Sequence, residues 1–292
     1  MPGGNCMWIA DKWNDYEVLD ASSGEKLERW GRFILVRPDP QVIWHTEKSL
    51  KGWKNPDARY ERSSTGGGHW AVNNLPQSFT VTYSDLKFNL RPMNFKHTGL
   101  FPEQAVNWDW FSEIIRNSQR KISLLNMFAY TGAASVAASK AGAEVVHVDA
   151  SKGMTSWAKE NAALNGISNI RFIVDDCIKF VEREQRRGHF YDAVILDPPS
   201  YGRGANGEVW KLENDLFELM EKTVAILSDR PLFVLLNSYT TGLSASCMGY
   251  ILGVCMKNRF GYGKITFDEI GLPVASTGFT LPCGSSARWV EE

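Results

Sequence analysis

The feature that most constrains the fold is a fivefold alternation of short apolar runs with helical patterns between residues 121 and 258. The predicted strands and helices are, in chain order, KISLLNMF (121–128), AASVAASKAG (133–142), AEVVHVDA (143–150), KGMTSWAKENAALNG (152–166), IRFIVDD (170–176), CIKFVEREQRRG (177–188), FYDAVILD (190–197), a helix over 207–227, PLFVLLNS (231–238) and SASCMGYILGVCMKN (244–258). Strands that alternate with helices form a mostly parallel sheet covered on both faces. The last segments, GKITFDEIGL (263–272) and GFTLPCG (278–284), are predicted to form an antiparallel pair. The pattern therefore predicts an α/β fold with an antiparallel last strand.

The N-terminal third of the chain differs in composition and in its pattern of apolar residues, and it predicts a small β-rich domain. Its segments FILVRP (33–38), SFTVTY (78–83) and KFNLRP (87–92) read as strands, and the last two are spaced as a hairpin. The region is rich in tryptophan, including Trp30, Trp44, Trp53 and Trp70. We therefore expect a domain over residues 1–92 and a larger one over residues 93–292.

The stretch ARYERSSTGGGHW (58–70) has two interpretations. Arg59, Arg62 and His69 surround the triple glycine 66–68, so they could clamp a phosphate or order over a binding site. The other interpretation is a tryptophan-cored domain with a mobile surface loop. The sequence leaves both open.

Composition narrows the classes of protein to consider. The formal net charge is −1, so no overall positive field points to nucleic acid, although a local basic face would be averaged away. Five cysteines without a CxxC pair argue against a disulfide framework and a zinc site, and favour a reducing, cytoplasmic location. No apolar stretch approaches the ~20 residues of a membrane span, and the N-terminus lacks a signal-peptide pattern. We expect neither a metal nor a membrane association.

The first candidate binding element is NMFAYTGAAS (126–135), which leaves the first strand of the sheet and opens a helix. In such sheets, ligands bind outside the carboxyl ends of the strands. Gly132 and the small residues after it allow a ligand to approach the backbone closely. The stretch is neither GxGxxG nor a phosphate-binding P-loop. A plain strand–helix turn is the alternative.

Acidic residues end the second and third strands. Asp149 follows the first loop at a spacing that suits hydrogen bonds to ribose hydroxyls, although an N-cap is the alternative and Ser151 could also supply one. Asp175, Asp176 and Cys177 end the third strand, where a carboxylate could accept a hydrogen bond from an adenine amino group. Asp176 could equally cap the helix that starts at Cys177. The two roles are compatible.

The fourth strand ends in Asp197-Pro198-Pro199-Ser200-Tyr201. Proline cannot donate to a sheet ladder, so the strand must stop there in a stiff turn. A nicotinamide cofactor would explain the first two strand ends but not this one. S-adenosylmethionine needs the same adenosine site without a pyrophosphate, and it fits all four. Asp197 and nearby carbonyls could then accept hydrogens from a planar amine, and Tyr201 could stack on a base. A turn with a capping aspartate is the alternative.

The motifs together resemble one family. They are FKHTGLFPEQ (95–104), LNMFAYTGAAS (125–135), VVHVDAS (145–151), AKENAALNG (158–166), VDDCIKFV (174–181) and YDAVILDPPSYGRG (191–204). Over this span, from about Phe95 to Tyr201, the chain resembles class I S-adenosylmethionine-dependent methyltransferases. More narrowly, it resembles the bacterial large-subunit ribosomal RNA methyltransferases that include cytosine-C5 and guanine-N7 enzymes of 23S rRNA. The resemblance implies a Rossmann-like class I methyltransferase sheet and S-adenosylmethionine as cofactor.

The resemblance also implies which residues form the site. The implied cofactor-binding residues are Lys96, Thr98, Gly99 and Gln104, Phe128, Ala129, Tyr130, Thr131 and Gly132, Asp149, Ala150 and Ser151, Asp176 and Cys177, and Asp197. The implied catalytic residues are Asp197, Pro198, Pro199 and Tyr201. By this resemblance the loop over 128–132 surrounds the methionine part, Asp149 binds ribose, Asp176 contacts adenine, and Asp197 lies beside the transferred methyl group.

One departure from the family bears on the methylated atom. Members that methylate cytosine C5 need a cysteine thiolate that adds to C6 of the base. In the relatives that this chain resembles, that cysteine lies just after the fifth strand. Here LLNSYTTGLS (235–244) carries Ser238 and no cysteine. We therefore expect that the enzyme methylates a base nitrogen rather than cytosine C5. Cys247 and Cys283 are the thiols that could in principle approach the site.

The expected partner is structured RNA, with 23S rRNA as the substrate the resemblance implies, and a homo-oligomer is compatible with the sequence. Two other functions stay open. One is an RNA-binding or assembly factor that keeps the cofactor fold without turnover, against which the intact DPPSY turn speaks. The other is a small-molecule methyltransferase, against which the β-rich N-terminal region argues mildly.

Overall fold

The computed structural model describes residues 7–63, 67–93, 95–203 and 209–291. The strands are β1 Met7–Ile9, β2 Tyr16–Ser22, β3 Glu25–Trp30, β4 Phe33–Pro38, β5 Ala58–Arg62, β6 Gly68–Asn73, β7 Phe79–Tyr83, β8 Leu86–Leu90, β9 Ser123–Met127, β10 Glu144–Asp149, β11 Ile170–Val174, β12 Ala193–Leu196, β13 Tyr201–Arg203, β14 Val209–Lys211, β15 Phe233–Ser238, β16 Lys264–Pro273 and β17 Thr280–Val290. The helices are α1 Ala105–Asn117, α2 Ala133–Lys140, α3 Lys152–Leu164, α4 Cys177–Arg187, α5 Leu212–Ala225 and α6 Ala245–Arg259, with short 3-10 helices at Lys51–Trp53 and Pro102–Gln104.

The chain forms two compact units. The β-rich unit comprises residues 8–106 and 270–283, and the α/β unit comprises residues 107–269 and 284–292. The β-rich unit thus extends beyond residue 92 and takes in a second, C-terminal segment. The functional division at residue 92 stays a prediction.

The α/β unit is built on a sheet with strand order β1-β16-β17-β15-β12-β9-β10-β11. Strands β15, β12, β9, β10 and β11 run parallel, and β17 pairs antiparallel with β15 from Phe233–Val290 to Ser238–Ser285. The prediction of a mostly parallel sheet with an antiparallel last strand is confirmed. Strand β17 continues six residues past the predicted end at residue 284, because its second half completes the sheet beside β15.

The order of strands reverses at β9. From β9 the chain builds β10 and β11 on one side, and β12 and β15 on the other. In the register of the sheet, Met127 at the end of β9 lies beside Leu196 at the end of β12 and next to Val148 of β10. The loops that leave these ends therefore start side by side, at the place where open α/β sheets bind ligands.

The core of this unit holds the strand ends in place. The central strands β12 and β15 are apolar and buried along nearly their whole length, as expected for parallel strands covered on both faces. Leu216, Leu219 and Met220 of α5 and Leu252 of α6 belong to the same buried cluster. Each fully buried leucine contributes about 1.5–3 kcal/mol to folding stability relative to an exposed one. This packing holds the strand ends in fixed positions.

One predicted helix boundary is wrong. The helix predicted over 207–227 begins only at Leu212, because Val209–Lys211 form β14, which pairs antiparallel with β13. Residues 207 and 208 lie outside the described residues. The apolar residues Val209 and Trp210 are part of a hairpin that follows the Pro-Pro turn, and not of the first helical turn.

The β-rich unit contains a five-stranded sheet with order β2-β3-β4-β5-β6 and a separate hairpin, β7–β8. The hairpin was predicted from the sequence. Arg59 donates to Glu25 Oε1 at 2.8 Å and to the Trp53 carbonyl at 2.7 Å, so it is engaged within this sheet. Arg62 and His69 are exposed. The stretch between them includes residues 64–66, which lie outside the described residues, so a phosphate clamp there stays a prediction.

A buried ion cluster organises the β-rich unit. Glu28 is fully buried and accepts from Arg37 Nε at 2.6 Å, from Arg37 Nη2 at 2.8 Å and from the Tyr16 hydroxyl at 2.6 Å. Lys26 Nζ lies 3.4 Å from Glu28 Oε1 and 3.4 Å from Asp39 Oδ2. Burial alone would raise the pKa of the Glu28 carboxyl, but the charges of Arg37 and Lys26 outweigh it and lower the pKa to about 2. The cluster ties β2, β3 and β4 together.

We expect Glu28→Gln to destabilise the protein by about 3–5 kcal/mol, because it leaves Arg37 buried without its carboxylate and leaves Lys26 with Asp39 alone. The free energy of unfolding in urea measures this, with the exposed Glu47→Gln as matched control. Since the folded pKa of Glu28 lies below the ordinary value of about 4.3, its stabilisation is present above that value and is lost as pH falls toward 2. Equal unfolding free energies for the two variants would contradict the role of the cluster.

Candidate active site

The loop after β9 has an unusual backbone. Phe128 and Tyr130 have φ of 54° and 50°, and Gly132 has φ of 83°. Left-handed backbone at a non-glycine residue costs about 1–2 kcal/mol, so two such residues in one loop indicate a conformation that the surroundings enforce. A Cβ on Gly132 would lie 2.7 Å from the Cβ of Ala158. Only glycine fits here, and the loop lies close against α3.

Four hydrogen bonds enforce this conformation. Ala129 N donates to the Val148 carbonyl at 3.1 Å, and Phe128 N donates to Cys177 Sγ at 3.3 Å. Tyr130 N donates to Asp149 Oδ2 at 2.8 Å. The buried Asn161 side chain, on α3, donates to the Thr131 carbonyl at 2.9 Å. The predicted loop residues are thus brought together with Asp149 and Cys177, and Asn161 is a positioning residue that the sequence reasoning missed.

A small polar set lies under the same loop. Asn126 Nδ2 donates to Ser135 Oγ at 2.9 Å, and Ser135 Oγ lies 3.0 Å from His147 Nδ1. Burial lowers the pKa of His147 to about 3, so its ring is neutral. Its Cε1 lies 3.5 Å from where a Cβ of Gly132 would be. These three side chains hold the start of α2 against β9 and β10. None of them is charged, so the loop is supported by neutral hydrogen bonds.

Asp149 lies at the end of β10 with both carboxylate oxygens engaged by backbone. Besides Tyr130 N on Oδ2, Ser151 N donates to Oδ1 at 2.8 Å. The N-cap alternative is settled, because Ser151 caps α3 by accepting from Met154 N. Burial raises the pKa of the Asp149 carboxyl, and the two backbone hydrogen bonds partly oppose this. Each carboxylate oxygen keeps a second lone pair, so the group could accept both ribose hydroxyls. Ala150 and Ser151 are exposed beside it.

Asp176 ends the loop after β11 and caps α4. Its Oδ1 accepts from Lys179 N at 3.0 Å, which confirms the capping role. The same residue lines a cavity of about 300 Å³ together with Ile178, Val209 and Trp210. A capping carboxylate has a second oxygen to offer, so the adenine contact and the cap are compatible, as the sequence indicated. The neighbouring Asp175 instead forms an ion pair with Arg183.

The turn after β12 is fixed on two sides. Asp197 is half-buried and Pro198 is buried, whereas Pro199, Ser200 and Tyr201 are exposed. Trp210 Nε1 donates to the Pro199 carbonyl at 2.6 Å, and the hydroxyls of Ser200 and Thr240 share a hydrogen bond of 2.6 Å. The turn therefore carries a half-buried acid and an aromatic ring that is 51% exposed.

The described cysteines have distinct environments. Cys177 and Cys283 are held in surroundings that raise the thiol pKa through burial, and burial raises the pKa of Cys255 to about 11. Among the residues described, Cys247 is the exposed cysteine, in the first turn of α6. Ser238 is 3% exposed, and its Oγ accepts from Thr240 N at 3.1 Å. The hydroxyl of Ser238 is thus used to shape the loop after β15.

The residues predicted from FKHTGLFPEQ lie in the β-rich unit. Thr98, Gly99 and Gln104 are buried there. The Lys96 carbonyl accepts from Arg37 Nη1 at 2.9 Å, and Lys96 Nζ donates to the Pro38 carbonyl at 3.3 Å. Burial, helped by nearby Lys26, lowers the pKa of Lys96 to about 8. The ion cluster of Glu28 and Arg37 therefore anchors this segment, and its membership in the cofactor site stays a prediction.

Comparisons with known proteins identify the family of the chain. Residues 36–228 match the model of the S-adenosylmethionine-dependent methyltransferase family. The crystal structure of a SAM-dependent methyltransferase from Agrobacterium tumefaciens is 34% identical, with a TM-score of 0.92 over 99% of this chain and 95% of that one. The ribosomal RNA large subunit methyltransferase K/L of Shewanella frigidimarina is 31% identical over 192 residues, 64% of this chain and 25% of that protein. Its counterpart in Shewanella sediminis is 33% identical over 243 residues, 78% of this chain and 30% of that protein.

The fold is that of a methyltransferase. The chain belongs to the S-adenosylmethionine-dependent methyltransferase family, and S-adenosylmethionine is its cofactor. The chain spans between a quarter and a third of the length of these two curated relatives.

The arrangement fits this cofactor on the structure's own terms. Gly132 lets the loop pack directly against Ala158 of α3, and each carboxylate oxygen of Asp149 keeps a lone pair beyond its backbone hydrogen bond at the end of β10. Within the described ranges, no cluster of three or more His, Cys, Asp or Glu side chains is placed to hold a metal ion. None of the described helices is long and apolar enough to cross a membrane.

We expect Asp149→Asn to weaken binding of S-adenosylhomocysteine by about tenfold or more, because charge-assisted hydrogen bonds to the ribose contribute about 1.5–3 kcal/mol. Isothermal titration calorimetry measures the affinity. The matched control, Asp229→Asn, makes the same change at an exposed residue just before β15. That residue lies at the amino end of the strand, whereas the candidate site lies at the carboxyl ends. Unchanged affinity in Asp149→Asn, or an equal loss in Asp229→Asn, would contradict the assignment to Asp149.

Proposed function

We propose that this protein transfers the methyl group of S-adenosylmethionine to a nitrogen of a nucleobase in structured RNA, with 23S rRNA as the substrate. The observation that carries the proposal is the turn Asp197–Tyr201, which places a half-buried acid and an exposed aromatic ring at the strand end next to the cofactor loop. The names of the curated relatives support RNA as the substrate class.

The proposed chemistry needs little from the protein beyond positioning. The sulfonium of the cofactor supplies an activated methyl group. The lone pair of the base nitrogen would form the new N–C bond as the S–C bond breaks and S-adenosylhomocysteine leaves, and the proton lost from the nitrogen would pass to the Asp197 carboxylate. Asp197 and carbonyl oxygens of the turn would accept the hydrogens of the planar amine, and Tyr201 would stack on the base. Holding the nitrogen in line, within about 3–3.5 Å of the methyl carbon, is the main catalytic contribution.

The environments of Ser238 and the cysteines support nitrogen over cytosine C5. The hydroxyl of Ser238 is buried and accepts a backbone hydrogen bond, so it is poorly placed to act as a nucleophile. Burial keeps the thiols of Cys177 and Cys283 protonated, whereas covalent activation of C5 requires a thiolate. Cys247 is the exposed thiol in the described part of the chain, and its contribution is open to test.

The remaining predicted features belong to the same proposal. Lys96, Thr98, Gly99 and Gln104 would complete the cofactor site, and the exposed Arg62 and His69 of the β-rich unit would contact RNA. An rRNA substrate implies a cytoplasmic location. A homo-oligomer remains compatible with the proposal.

Nucleoside mass spectrometry tests the substrate. The protein is incubated with methyl-labelled S-adenosylmethionine and either unmodified 23S rRNA or large-subunit particles, and the RNA is digested. We expect a labelled guanine or adenine nucleoside with the label on nitrogen. Labelled 5-methylcytosine would overturn the choice of atom and direct attention to Cys247. No label in either substrate, with S-adenosylhomocysteine still bound, would overturn the RNA proposal in favour of a binding factor or a small-molecule enzyme.

We expect Asp197→Asn to lower kcat for methyl transfer by about a hundredfold, in the range typical of a lost acid–base or polar catalytic group, while S-adenosylhomocysteine still binds. Single-turnover rates and calorimetry separate the two effects, and Asp229→Asn again serves as the matched charge control. A parallel loss of cofactor affinity and folded fraction would show that Asp197 has a structural role.

A further inference from the structure

Trp210 is the residue outside the predicted motifs that connects most parts of the candidate site. It lies on β14, in the hairpin that follows the Pro-Pro turn, and it is half-buried against the main core cluster. The sequence placed it in the first turn of a helix and gave it no role. Its position instead results from the pairing of Gly202 with Trp210 across the hairpin.

The first contact of Trp210 is with the turn that carries Asp197. The indole Nε1 donates to the Pro199 carbonyl at 2.6 Å. Pro198 and Pro199 have no N–H, so the turn has few donors with which to tie itself to its surroundings. The Trp210 bond on Pro199 and the Thr240 bond on Ser200 hold consecutive residues of the turn from two different elements.

The second contact is with Phe128 of the cofactor loop, and the Trp210 ring also borders a cavity between α4 and α5. The ring of Trp210 lies 6.3 Å from the ring of Phe128, at an angle of 35°. The same ring lines the cavity of about 300 Å³ that Asp176 and Ile178 also line. The charged side chains of Lys179, Glu182 and Lys222 also line that cavity, so the contact that bears on the cofactor is the one between Trp210 and Phe128.

We infer that Trp210 is a positioning residue that couples the methyl-acceptor turn to the cofactor loop. Its N–H holds the Pro199 carbonyl, and its ring packs against Phe128 of that loop. The inference rests on the proposed function for the identity of the acceptor turn, but its two contacts are independent of which base is methylated. Because one side chain makes both contacts, cofactor binding at the loop and ordering of the turn are linked.

Two substitutions separate the contacts. Trp210→Phe keeps an aromatic ring and removes the N–H, so we expect S-adenosylhomocysteine affinity within about twofold of wild type and faster amide exchange at Ser200 and Tyr201. We expect kcat for methyl transfer to fall by about 3–10-fold, the effect of one lost hydrogen bond. Trp210→Leu removes the ring as well, and we expect cofactor affinity to fall by about tenfold in addition.

Calorimetry and amide exchange need no methyl acceptor, so they test Trp210 even if rRNA is not the substrate. Wild-type protein that labels no RNA would refute the proposed function alone. Unchanged amide exchange at Ser200 and Tyr201 in Trp210→Phe, or unchanged cofactor affinity in Trp210→Leu, would overturn the coupling role.

A matched control uses the same chemical change in the other unit. Trp44 Nε1 donates to the Ala21 carbonyl at 2.8 Å. We expect Trp44→Phe to leave S-adenosylhomocysteine affinity and exchange at Ser200 unchanged. Urea unfolding of each variant accompanies these measurements. Losses in Trp210→Phe and Trp210→Leu that simply follow the folded fraction would mean that the residue is structural, and would overturn the inference.

Discussion

The pairing of β9 with β12 on one side and β10 on the other is the constraint on which the rest of the site depends. Reversal of the strand order at β9 leaves a crevice at the carboxyl ends of the strands. The register that sets Met127 beside Leu196 makes Phe128 and Asp197 the first residues of neighbouring loops. Because the strands are buried on both faces, a slip in this register would disrupt the close packing of side chains on both faces, so the core also fixes the geometry of the site.

The loops that leave these strands are held in conformations that a free chain would not favour. The left-handed residues Phe128 and Tyr130 are held by the hydrogen bonds that their N–H groups donate to Cys177 and Asp149. The Pro-Pro turn is held by Trp210 and Thr240. Strain of this kind persists only where the surroundings over-determine it, and it is concentrated at functional sites. A methyltransferase that contributes mainly alignment benefits from a site that is rigid before the substrate arrives.

The β-rich unit contains a segment with little regular structure, which begins at residue 95 and is held by side-chain interactions. The bidentate pair of Glu28 and Arg37 is buried within its sheet, and Arg37 also donates to the Lys96 carbonyl. A buried charge network is expensive to break and specific in geometry. It therefore fixes the path of the segment that begins at residue 95 without depending on helix or strand hydrogen bonds.

The sequence alone determined the elements whose signals are local. The alternation of apolar runs and helical patterns gave the parallel sheet, and the Pro-Pro turn gave the end of β12, because periodicity and the missing proline N–H act on neighbouring residues. Tertiary structure alone decided that Asn161 supports Thr131, that Trp210 lies on a strand beside Pro199, and that the Ser238 hydroxyl is already used by Thr240. These contacts join residues that are distant along the chain or that a helical pattern misplaces, and only packing of the folded elements brings them within hydrogen-bond distance.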